Sequence, residues 1–149
     1  LGDVYKRQDT RYEPGTVKVV AYDKTGKAVA ETEMHTAGKP HHIELVADRN
    51  RLRADGKDLA FVTVKVVDKD GNLCPDAQTL IQFRVKGEGS YRAGANGNPA
   101  SLEQFHLPQM HVFNGMMTAI VQSSDKAGKI VLEATGKGLK KALLTVETE

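Results

Sequence analysis

Apolar side chains in this chain recur at every second residue, in short runs broken by Gly, Asn, Asp and Pro. Almost nowhere do they fall at the 3.6-residue spacing of a helix. A strand turns successive side chains to opposite faces, so a chain built this way buries its apolar residues only by packing sheets on sheets. The cleanest run is 80–86, where Ile81, Phe83 and Val85 alternate with Gln82, Arg84 and Lys86. Run 61–67 sets Val62, Val64 and Val66 inward against outward Thr63 and Lys65, and run 42–47 puts Ile43, Leu45 and Ala47 on one face. Further strands are expected at 116–123, 129–134 and 140–147. Phe61 and Phe83 lie in these runs and are expected in the core.

Near the start, Val17, Val19 and Ala21 alternate with Lys18, Val20 and Tyr22. The turn residues Asp23-Lys24-Thr25-Gly26 and a second run at 28–36 complete a β-hairpin pattern. Thr36-Ala37-Gly38-Lys39-Pro40 then reads as a linker. Beyond it, roughly six or seven short antiparallel strands predict an immunoglobulin-like β-sandwich. Cys74 is the only cysteine, so that sandwich lacks an internal disulfide and a cysteine zinc site. Residues 39–149 are read as this C-terminal domain. Residues 9–38, with two or three strands, fall below the ~40 residues at which unaided domains become viable and read as the C-terminal strands of a second, truncated β-domain. Val17–Gly26 and Val64–Gly71 echo each other as a strand running into an Asp-Lys-x-Gly turn, which a shared hairpin accounts for.

Asp3-Val4-Tyr5-Lys6-Arg7-Gln8 resembles the in-frame translation of a transposase adapter used for sequencing libraries. Residues 1–8 are therefore expected to be a scar outside the fold. The chain also begins without Met, and a piece of a longer protein is expected.

Lys+Arg number 21 against 19 Asp+Glu, a formal net charge of +2 with no basic block. Neither nucleic acid nor a membrane surface is expected as a partner. The segment 94–115 breaks the alternation for over twenty residues, and only 99–105 suits a helical turn. Loops of that length are usually functional or braced against a neighbour. Glu88 and Glu103 are the carboxylates nearest it, yet no spacing organises them into the pair that glycoside hydrolysis requires. The five histidines (His35, His41, His42, His106 and His111) show no metal-ligand spacing and no recurring acidic neighbour. Asp68-Lys69-Asp70-Gly71-Asn72 superficially resembles a calcium loop, but Leu73 and Thr79 stand where an EF-hand needs Gly and Glu. Turn-forming Asp side chains explain it without a metal. No catalytic, cofactor or metal-binding residue is assigned, and Cys74 is expected to be a small half-buried apolar residue. Sugar binding needs flat aromatic faces; Trp is absent, so Tyr91, Phe105 and Phe113 around the long loop supply a sugar platform poorly, and a carbohydrate-binding module stands, with an invasin-like adhesin repeat, as an alternative reading only.

Several of these motifs together resemble glycoside hydrolase family 2, the β-galactosidase-like enzymes of Bacteroides-type bacteria. Tyr12-Glu13-Pro14-Gly15, the 17–24 run and Thr36–Pro40 resemble the end of an accessory β-domain there. Ala54-Asp55-Gly56-Lys57-Asp58-Leu59, Val62-Thr63-Val64, Asp68–Asn72, the 94–99 stretch, Phe113-Asn114-Gly115 and Gly136-Lys137-Gly138-Leu139-Lys140 resemble its C-terminal domain. The A-D-G-x-D and V-T-V-x-V-x-D-x-x-G-N patterns are also similar to invasin-type bacterial Ig-like domains. Asn98 departs from a more usual Asp, and Gln109-Met110-His111 from a position that is often basic. The resemblance implies a non-catalytic tail, since both catalytic glutamates of that family sit on an upstream barrel. It further implies packing against that barrel, its neighbouring β-domains and a sister subunit, and a parent that is periplasmic or extracellular. Phe105, Met110 and Phe113 in the long loop are the expected contact residues.

Overall fold

The computed structural model describes residues 11–149; the adapter-like segment lies outside them. The chain divides after Thr36 into two compact units. Among the described residues of the first, β1 (Thr16–Tyr22) pairs antiparallel with β2 (Ala28–His35). The turn between them is set by Asp23, whose Oδ1 accepts the backbone N–H of Thr25 at 2.8 Å and of Lys27 at 3.0 Å. This Asx turn replaces backbone partners with a side-chain oxygen.

The second unit is a two-sheet sandwich. β3 (His42–Ala47), β5 (Leu59–Val67), β9 (Met116–Ser123) and β7 (Gly89–Ala95) form a four-stranded antiparallel sheet in the order β3-β5-β9-β7. The facing sheet has the order β4-β11-β10-β6-β8. Its members are β4 (Arg51–Leu52), β11 (Ala142–Thr148), β10 (Gly128–Gly136), β6 (Leu80–Gly87) and β8 (Gln109–His111). All its pairings are antiparallel except the short β4–β11 contact.

Alternation explains the core. Val62, Val64 and Val66 of β5 and Ala119 and Val121 of β9 share one apolar cluster with Ile81, Ile130, Leu132 and Val146 from the opposite sheet. Leu45, Ala47 and Val85 pack against its rim. Nine strands thus stand where roughly six or seven were expected. The three additions are β4, with two residues, β8, with three, and β7, whose Gly and Ala residues carry little strand propensity. No helical turn forms at 99–105; that segment is irregular between turns at 99–100 and 105.

Phe61 corrects another expectation: it sits on the outer face of β5 and is 44% exposed, whereas Phe83 is buried. Period-two alternation with Val62 and Ala60 inward leaves Phe61 no other face. Cys74 lies fully in the core rather than half-buried. Burial, with Asp68 and Asp76 nearby, pushes its thiol pKa up.

Candidate functional site

The sequence motifs that carried the resemblance are turn-builders. Asp68 follows β5; its Oδ1 accepts N–H from Asp70 and Asn72, both at 2.9 Å, and its Oδ2 accepts Gly38 N–H at 2.7 Å. Asn72 Nδ2 adds a fourth donor at 3.1 Å. These donors, the Gly38 N–H foremost, hold the Asp68 carboxyl well below the usual carboxylate range. Its oxygens are engaged by the chain's own N–H groups, the turn-building role expected of an Asp in this spacing. The same Asx geometry recurs at Asp23, so the echo between the two segments is a shared turn device. In the A-D-G-x-D stretch, Asp55 Oδ1 accepts from Lys57 and Asp58 N–H, while Asp58 accepts the N–H of Arg53 and Leu59.

The long segment is better organised than its spelling suggests. Glu88, at the β6–β7 turn, accepts a hydrogen bond from Ser124 Oγ at 2.9 Å. Glu103, in the β7–β8 connection, takes His111 Nδ1 at 2.9 Å and His111 N–H at 3.1 Å. Asn96 Nδ2 donates to His111 O at 3.0 Å and reaches Glu103 at 3.4 Å. Histidine and carboxylate are eight residues apart, joined by an irregular loop, so spacing alone concealed the pair. This revises the expectation that no acidic residue stands by these histidines. His106 is exposed. His35 bonds Thr16 Oγ1 and Glu33, and His41 and His42 share a 3.0 Å Nδ1–Nδ1 contact. Among the described residues, no three His, Cys, Asp or Glu side chains converge as metal ligands.

Around the Glu103–His111 pair opens a cleft of about 310 Å³, lined by Gln78, Asn96, Asn98, Val112 and Phe113. The segment 112–116 positions Phe113 by a tight hairpin: Phe113 bridges Met116, with Asn114 at φ 50° and Gly115 at φ 74°. Two successive left-handed residues make the type I′ turn that Asn-Gly favours. Of the three aromatics around the loop, Phe113 lines the cleft and Phe105 is exposed. Tyr91 instead packs inward, stacked on Phe83 at 5.4 Å. Met110 is also withdrawn: it is fully buried, paired in register with Ile81.

A disulfide-free, nine-strand sandwich of two facing, mainly antiparallel sheets has an Ig-like fold. The same topology appears at the level of fold alone in a C-terminal fragment of intimin, at 19% identity and TM-score 0.50 over 70% of this chain and 32% of that one. Residues 43–145 match the family model for glycoside hydrolase family 2 C-terminal domain 5, and the chain belongs to that family. It is similar over its full length, at 50% identity, to the β-galactosidase BoGH2A of Bacteroides ovatus, of which it covers 17%. Among solved structures, a family 2 glycosyl hydrolase from Bacteroides cellulosilyticus superposes with TM-score 0.86 at 32% identity, over 94% of this chain and 18% of that one. The chain thus spans less than a fifth of the length of these relatives.

Proposed function

We propose that this chain is a non-catalytic accessory domain of a β-galactosidase-type glycoside hydrolase, bracing or spacing the catalytic barrel of its parent. The observation that carries the reading is the full-length likeness, at 50% identity, to 17% of a β-galactosidase. Its two candidate carboxylates serve the loops: Glu88 is tied to Ser124 and Glu103 to His111. Acid–base cleavage of a glycosidic bond needs two carboxyl groups facing one sugar, which these separate engagements do not supply. In this reading Leu102, Phe105 and Leu107, exposed on the β7–β8 connection, form the contact with the parent's neighbouring β-domains, its barrel or a sister subunit. The parent would act outside the cytoplasm, in the periplasm or at the cell surface.

The test is hydrolysis of 4-nitrophenyl β-D-galactopyranoside. The purified chain is expected to release no nitrophenol, while the parent enzyme carrying Phe105→Ser and Leu107→Ser loses thermal stability or activity. Multiple turnovers by the purified chain would overturn the reading, and an unaffected double variant would remove the proposed contact. Fractionation of cells expressing the parent checks its export.

A further inference from the structure

We propose that the cleft between the β7–β8 connection and the Phe113 hairpin binds a neutral pyranose ring. The proposal rests on the family membership above and adds to the bracing role a direct contact with glycan. Phe113, 36% exposed, offers a flat apolar face at the cleft wall. Such a face covers the C–H side of a pyranose while polar groups at its edge take the hydroxyls.

Those polar groups are present and free. Glu103 accepts from His111 Nδ1, so the imidazole carries a proton there, and its Nε2 makes no hydrogen bond to a described residue. Gln78 is exposed and its amide makes no hydrogen bond to a described residue. Asn98 uses only its Oδ1, accepting Ala100 N–H at 3.0 Å, which leaves Nδ2 to donate. His111 Nε2 and the amides of Gln78 and Asn98 match the mixed donor–acceptor character of sugar hydroxyls.

Charge selects against other ligands. No Lys or Arg lines the cleft, and the Glu103 carboxylate stands at its edge, so an anionic sugar or phosphate meets no counter-charge. The supports are fixed before a ligand arrives. Asn96 Nδ2 holds the His111 carbonyl, Asn96 Oδ1 accepts Asn98 N–H at 3.0 Å, and Glu103 takes both His111 N–H groups. Preorganisation of this kind lowers the ordering cost of binding.

The experiment is a titration of the uniformly ¹⁵N-labelled chain with methyl β-D-galactopyranoside, followed by amide and Asn/Gln side-chain shifts. Saturable shifts at Gln78, Asn98 and 111–113 are expected, with a Kd of order 1 mM for a single-ring site. Phe113→Ala and, independently, Gln78→Ala should each weaken binding by about fivefold or more. Gln78 is exposed and outside every described hydrogen bond, so its variant keeps the wild-type melting temperature. Glucuronate at the same concentration should give at least about fivefold weaker binding. Absence of saturable shifts, or saturable shifts elsewhere that both variants leave intact, overturns the proposal. Neither outcome touches the nitrophenol assay of the purified chain or the contact variants of the parent, so this site and the accessory role fail separately.

Discussion

Removing one oxygen from the core should stabilise this domain. The Tyr91 hydroxyl is buried and has no hydrogen-bond partner among the described residues. Burial pushes its pKa up to about 12, the signature of a phenol cut off from water. An unsatisfied buried hydroxyl costs about 1–3 kcal/mol. In Tyr91→Phe the ring and its stacking on Phe83 survive. The void left by one oxygen, roughly 10 Å³ at ~24 cal/mol per Å³, costs only about 0.2 kcal/mol. The net expectation is a gain of about 1–2 kcal/mol, read by urea denaturation followed by circular dichroism, with a Tm higher by about 4–8 °C. Tyr91→Ala, which also discards the ring, should instead lose about 3–5 kcal/mol. The sign with pH follows from the raised value. The unfolded phenol ionises near pH 10 while the folded one holds its proton, so wild-type stability falls as pH climbs from about 10 toward about 12. The Phe variant lacks that fall. A destabilised Tyr91→Phe, at neutral pH, would refute the reasoning, because it would mean the hydroxyl is hydrogen-bonded.

Met110 is fully buried in a strand of three residues, so Met110→Ala should cost about 2–5 kcal/mol in the same denaturation assay; a cost under about 1 kcal/mol would mean β8 is not part of the core. Gly115→Ala puts a Cβ on a left-handed residue and against the Cys74 backbone carbonyl, for an expected loss of about 2 kcal/mol or more in thermal melts. Asp68 has its folded pKa depressed, so its contribution is present above about pH 4 and drains away as pH falls below that value. Acid titration of Asp68→Asn should lack this component, and an unchanged acid limb would refute the turn's role. The buried Cys74 thiol, its pKa raised, should react with Ellman's reagent only once denaturant unfolds the domain; rapid reaction of the native chain would contradict its placement.

What the amino acids disclose in advance follows from how local each cause is. The runs at 42–47 and 80–86 became β3 and β6 because their period-two pattern states a burial face without reference to any partner. The hairpin turns were legible for the same reason: an Asp bonding its own following N–H groups needs nothing distant. β7 was not legible. Gly94 sits inside it because the Tyr91 hydroxyl occupies the space a Cβ would take, a fact of packing rather than of strand propensity. Phe61 was misplaced because a large aromatic in a valine-rich strand suggests burial, whereas its parity within β5 sends it outward.

The candidate cleft shows the same division more sharply. Each of its parts is ordinary alone: an Asn-Gly turn, a loop glutamate, a histidine in a short strand. They meet because β8 pairs with β6 at one edge of its sheet while the Phe113 hairpin returns the chain to β9 in the other. The loop between β7 and β8 therefore crosses from one sheet to the other, and Glu103 is the side chain that pins it to His111 at the crossing. A sandwich that must change sheets there has to expose an irregular backbone, and satisfying that backbone calls for Asn and Glu side chains. Their unused donors and acceptors are what a polar ligand would meet. On this argument the cleft is a by-product of the crossover, and Gln78 and Phe113, which satisfy no backbone group of the crossing, are the two residues whose presence the fold does not require.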